Sequence, residues 1–131
     1  MSTSDKDKEA INVILGQVKD PYITIWFRAY VFDNGCNISA FRQPKTAPKT
    51  RRNLDLSTMH ERLTEILLEK QRMDDRDLGK PWTCITITVK ADGSNSVDLR
   101  YENPKTIDIH RLHTEWKDTA MAGLQFIPDK R

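Results

Sequence analysis

Residues 82–102 read WTCITITVKADGSNSVDLRYE, and the alternation in this stretch sets the fold around it. Ile85, Ile87 and Val89 alternate with Thr86 and Thr88, while Val97, Leu99 and Tyr101 alternate with Asp98 and Arg100. A period of two over both runs is the pattern of half-buried strands. Asp92-Gly93 marks the turn between them. A two-residue turn there sets Ile87 against Asp98 and mixes the faces. A three-residue loop, Ala91-Asp92-Gly93, pairs Ile87 with Val97 and Ile85 with Leu99, and it puts Gly93 at the left-handed position such loops require. Because a register slip of one residue would turn every apolar side chain to the wrong face, the longer loop is selected.

The same reading applies upstream to residues 22–32, YITIWFRAYVF. Ile23, Ile25, Phe27, Ala29 and Val31 share one face, and the following Asn34-Gly35 is a strong hairpin signal. A two-residue turn at that pair predicts Val31 opposite Ile38 and Ala29 opposite Ala40. Three helices are predicted between and around the hairpins. Ser4–Val18 carries Ile11, Ile14, Leu15 and Val18 at helical spacing, opened by Ser4 and Asp7 in the manner of a capping box and closed by Asp20-Pro21. Leu56–Arg76 carries Met59, Leu63, Ile66, Leu67 and Met73 on one stripe, with Glu61, Glu65, Glu69 and Lys70 assigned to the solvent side. Leu78-Gly79-Lys80-Pro81 stops this helix, Gly79 being suited to a left-handed cap. Ile109, Leu112 and Trp116 place a third helix over about residues 106–118. The segment 43–53, QPKTAPKTRRN, reads as a loop, and the tail from Ala122 is expected to dock as a strand or an extended arm. The order helix, hairpin, helix, hairpin, helix predicts a single α+β domain over residues 1–131. Its expected form is a two-layer sandwich, an antiparallel sheet of about four strands with helices packed on one face.

Composition narrows the function. The chain has 131 residues, 37% of them hydrophobic and 31% charged, with 21 basic against 19 acidic side chains for a net charge of +2. That near-neutral sum does not match a dedicated nucleic-acid binder, whose domain is basic throughout. No apolar run reaches the roughly 20 residues of a membrane span. The polar start MSTSDKDKEA lacks a secretory pattern, and Cys36 and Cys84 read as free buried thiols, so a cytoplasmic setting is expected.

No nucleophile motif, phosphate-binding glycine loop or dinucleotide fingerprint occurs, and no catalytic, cofactor-binding or metal-binding set is predicted. Asp108, His110, His113 and Glu115 are read as surface groups on a polar helix, short of the three or four ligands zinc needs. Charge is distributed unevenly. Arg42, Lys45, Lys49, Arg51 and Arg52 give +5 over residues 42–52, whereas residues 55–77 carry seven acids against four bases. The basic loop supports one functional reading, a small nucleic-acid-binding accessory domain. The acidic helix supports another, a module for one oriented protein partner. On that second reading the candidate contacts are Glu61, Glu65, Asp74, Asp75 and Asp77. Trp26, Arg28 and Tyr30, of types enriched at binding hot spots, form a further candidate patch on the outward sheet face, the alternative being that a helix or the C-terminal arm covers that face.

Pro81-Trp82-Thr83 leading into Ile85, Thr86 and Ile87, then Asp92-Gly93, Val97-Asp98-Leu99 and Tyr101-Glu102, resembles the YezG-like immunity protein family. The motif spans about 22 residues, and the element order carries the likeness further along the chain. The resemblance implies a small cytoplasmic antidote to a polymorphic bacterial toxin, including those of contact-dependent growth inhibition systems. Such a protein binds its cognate toxin domain, often a nuclease, one-to-one and blocks it without catalysis or cofactor. Trp82 and Gly93 are then expected to be fold determinants rather than partner contacts.

Overall fold

Tyr22–Phe32 forms the central strand, β1, and its apolar and aromatic side chains are buried on both faces of the sheet. The structure is a computed structural model describing residues 5–79 and 81–128. Around β1 the chain runs α1 (Asp5–Gly16), β2 (Gly35–Pro44), β3 (Thr50–Asn53), α2 (His60–Leu78), β4 (Cys84–Lys90), β5 (Asn95–Arg100), α3 (Ile109–Ala120) and β6 (Gln125–Phe126). One turn of 3-10 helix, Ser57–Met59, leads into α2. The sheet has six strands in the order β5-β4-β1-β2-β3-β6. All its pairings are antiparallel except β3 with β6, which makes it a mixed sheet.

The α+β class is as expected, but the layering is not. On one face α1 and α2 cover Ile25, Phe27, Ala29, Val31, Ile85, Ile87 and Val89. On the other face α3 packs Leu112 against Tyr30 and Cys84, and Trp116 against Trp26 and Phe41. The sheet is therefore covered on both sides rather than on one. It also gains two strands beyond the two hairpins. Residues 50–53 of the expected basic loop pair with β2 as β3, and the tail docks beside them as β6, with Thr50 opposite Gln125 and Arg51 opposite Phe126.

Both hairpins form, and one has a shifted register. In the β4–β5 hairpin Ile87 faces Val97 and Ile85 faces Leu99, Gly93 has φ 90°, and Lys90 N–H donates to the Ser94 carbonyl at 2.8 Å. In the β1–β2 hairpin the turn residues are Asp33 and Asn34, with φ 55° and 60°, and Gly35 already lies in the strand. Val31 therefore faces Cys36 and Ala29 faces Ile38, in place of Ile38 and Ala40. A tight turn of this kind needs positive φ at both central positions, which Asp and Asn tolerate through their short polar side chains. The whole offset is two residues in the pairing sum, so every apolar side chain keeps its face.

Helix ends follow their chemistry. Gly79, at φ 59°, closes α2 and donates its N–H to the Asp75 carbonyl at 3.1 Å. Asp108 caps α3 by accepting the Arg111 N–H at 3.1 Å, which is why this helix starts at Ile109. Ser4 and Lys80 lie outside the described residues, so the expected capping contact of Ser4 does too. Asp7 is buried and is used elsewhere, in an ion pair with Lys70.

Candidate protein interface

Helix α2 supplies the acidic candidates, and its pitch of 100° per residue sorts them. Leu63, Ile66, Leu67 and Lys70 point inward and are buried. Glu61, Glu65, Arg72 and Asp75 share the opposite, solvent-facing stripe and are exposed. Over the fourteen residue steps from Glu61 to Asp75 the stripe extends about 21 Å. Glu65 reaches Arg62 at 3.8 Å, a loose contact between exposed groups. Asp77 is exposed on a different side of the last turn. It pairs with Arg76 at 2.8 Å, and that hydrogen bond holds its carboxyl below the ordinary carboxylate range.

Asp74 is not available to a partner. Its carboxylate meets Lys70 Nζ at 2.9 Å and accepts the Trp82 indole N–H at 3.0 Å. Lys70, expected in solvent, is 4% exposed and also meets Asp7 of α1 at 3.0 Å. Its position follows from spacing, because residue 70 continues the 63, 66, 67 stripe. Two further ties fix the inner side of α2. Gln71 Nε2 donates to the carbonyls of Val31 and Trp82 at 2.7 Å each, and Lys6 of α1 meets Glu69 at 3.0 Å. The acidic stripe is thus carried by a helix held rigidly against the sheet and α1. Trp82 is buried and Gly93 takes its positive φ, so both residues of the 81–102 motif act as fold determinants.

The second candidate patch is a correction. Trp26, Arg28 and Tyr30 do lie on the face opposite Phe27, but α3 covers them and they are 6%, 7% and 3% exposed. Arg28 Nε donates to Thr86 Oγ1 at 2.8 Å, and Nη1 donates to the Tyr30 hydroxyl at 3.4 Å and the Leu112 carbonyl at 3.5 Å. The guanidinium also lies 4.8 Å from the Trp116 ring centre. These contacts pin α3 to the sheet. Burial pushes the Tyr30 phenol above its usual range, against the opposing pull of the Arg28 hydrogen bond.

The basic segment is partly structural as well. Arg51 sits between the rings of Phe41 and Phe126, 5.0 and 4.8 Å from their centres, and so clasps β6 to β3. Lys45 and Lys49 are exposed. The polar groups of α3 also have local uses: Asp108 caps the helix, Glu115 pairs with Arg111 at 2.9 Å, and His113 packs on Phe41 and Trp116. Among the described residues no group of three or more His, Cys, Asp or Glu is placed to hold a metal ion. Cys36 and Cys84 are free, and burial raises both thiols, which keeps them protonated. No described helix is long and apolar enough to cross a membrane.

A cleft of about 590 Å³ opens where β3 ends beside β2, lined by Ile38, Phe41, Leu54, Asp55, His60 and His113 among others. Sequence reasoning did not find it, because His60 and His113 come from elements on opposite faces of the sheet. His60 Nε2 lies 3.2 Å from the Cys36 carbonyl. Burial lowers the His113 pKa from 6.5, assisted by Lys117, Arg28, Arg51 and His110. The folded state thus keeps this ring neutral where the unfolded chain protonates it, and unfolding takes up a proton. The stability it contributes is present above pH 6.5 and is lost as pH falls through the lowered folded value. Urea unfolding across this range should show His113→Gln with a shallower acid decline than wild type. An unchanged slope would assign the decline to other groups.

No protein-family model matches the chain, and no curated protein matches it.

Proposed function

We propose that the protein is a non-catalytic, cytoplasmic immunity protein that binds a cognate bacterial toxin domain one-to-one and blocks it. The observation that carries this reading is the solvent-facing stripe of Glu61, Glu65 and Asp75 on α2, a helix whose inner side is locked by Lys70 and Gln71. Carboxylates fixed on a rigid element favour an oriented encounter with a basic surface, such as that of a nuclease domain, because little ordering is left to be done on binding. The 81–102 motif agrees with the reading through its likeness to the YezG-like family. A standard interface of about 800 Å² per partner fits on the outer side of one such helix and its surroundings.

The test is to look directly upstream of this chain's gene for a large secreted protein with a toxic C-terminal domain, and to co-express that domain with this chain. Growth should be restored and the two products should co-purify. Reversing Glu65 and Asp75 together to Lys should slow association by about tenfold at low ionic strength, with the difference shrinking as salt is added. Asp74→Asn serves as a contrast, since it should alter stability more than association. Unchanged association kinetics for the double reversal would remove the acidic stripe from the interface.

A further inference from the structure

From strand β5, which ends the sheet among the described residues, we infer that two copies of this chain pair through β5, antiparallel about a two-fold axis at Leu99. The inference is independent of the toxin reading. Strand β5 ends the sheet, and α2 packs over β1 and β2, away from it. The Lys90 N–H to Ser94 carbonyl bond fixes the parity of the ladder, so Ser96, Asp98 and Arg100 turn their backbone groups toward β4. Val97 and Leu99 turn theirs outward, as donors and acceptors on the edge. Natural edges are often guarded by charged side chains, proline or a bulge. The β5 sequence, NSVDLR, has no proline, its pairing with β4 runs without a bulge, and its two charges, Asp98 and Arg100, are opposite in sign.

Side chains specify which partner fits. Val97, Leu99 and Tyr101 fall on one face, with Leu99 39% and Tyr101 56% exposed, so this face offers an apolar row beside the edge. Asp98 and Arg100 fall on the other face. Centring the axis on Leu99 places Leu99 against its own copy and Val97 against Tyr101. It also sets Asp98 opposite Arg100 twice, once on each side of the axis. The outward backbone groups of residues 97 and 99 then meet those of residues 101 and 99, as an antiparallel ladder requires. Moving the axis to Asp98 sets like charges directly opposite each other, and moving it to Val97 sets Leu99 against Asn95. The strand is self-complementary in the one register that its backbone, its apolar row and its charges share.

Size-exclusion chromatography with light scattering tests this directly. The expected mass is twice the 15.2 kDa of the chain. Asp98→Arg and Arg100→Asp should each weaken the dimer by about tenfold, because either change sets like charges opposite each other twice. The double variant Asp98→Arg/Arg100→Asp exchanges the charges and should restore dimerisation. Circular dichroism and thermal unfolding confirm that each variant is folded. A monomeric wild type at sub-millimolar concentration overturns the inference and leaves the edge open to a strand of another protein. A double variant as weak as the single ones, or single variants that dimerise like wild type, overturns it equally.

Discussion

Replacing Lys70 by methionine is expected to destabilise the protein by about 3–5 kcal/mol, the usual cost of removing one partner from a buried ion pair. For a chain of this size that corresponds to a melting temperature lower by roughly 10–20 °C. Lys70 lies between Asp7 of α1 and Asp74 of α2, at 3.0 and 2.9 Å, and the three side chains are 5%, 7% and 15% exposed. Methionine fills much of the same volume, so the loss reflects the missing cation rather than a cavity. Two carboxylates would then remain close together with their shared counter-charge gone. Urea unfolding of both proteins at neutral pH decides the matter. A loss below about 1 kcal/mol would show that the cluster is not held as an ion pair. Because Asp74 also takes the Trp82 indole N–H, the variant should loosen the start of the β4–β5 hairpin along with the α1–α2 contact.

Local chemistry was enough to read the β4–β5 hairpin, because strict alternation chooses between the loop lengths that Asp92-Gly93 allows. It was also enough to find α2, its Gly79 cap and the exposed positions Glu61, Glu65 and Asp75. Lys70 and Asp74 were legible in principle, since 63, 66, 67, 70 and 74 trace a single helical stripe, but their charge argued for solvent. Only the packing of α1 on α2 shows how charge is accommodated there, through pairing between elements distant in sequence. The covering of the second sheet face had a signal too. A strand carrying Trp26 and Tyr30 as well as Ile25 and Phe27 is apolar on both sides, which is the pattern of a strand buried on both faces. The stripe of Leu112 and Trp116 shows that α3 buries one side, yet helical periodicity cannot say which surface receives it. Strand β3 was not legible, and the tail was expected to dock as a strand or arm without its partner being readable, for β3 and β6 are short runs held by long-range pairing and by the Arg51 clasp.

Trp116→Ala is expected to cost about 3–5 kcal/mol, in the range for truncating a large buried aromatic side chain. Trp116 is 4% exposed and holds α3 down through several contacts at once. Its ring lies 5.8 Å from Phe41 and 5.8 Å from His113, and it receives the Arg28 guanidinium at 4.8 Å. Alanine leaves a cavity and also removes the aromatic face that lies against a buried cation, so the two penalties add. Trp116→Phe keeps a ring for Arg28 and should recover more than half of the loss. Hydrogen exchange separates local from global effects. If α3 is a discrete layer clasped by Trp116, its amides should lose protection in Trp116→Ala before those of β1 and β4 do. Uniform loss across the sheet would instead mean that the face bearing Trp26, Arg28 and Tyr30 cannot persist without its cover. A loss below about 1 kcal/mol would mean that Leu112 and Met121 alone hold the helix. The middle outcome, selective release of α3, would make the buried aromatic face a surface that is exposed only when the helix lifts, which separates its role from that of the permanently exposed acidic stripe on α2.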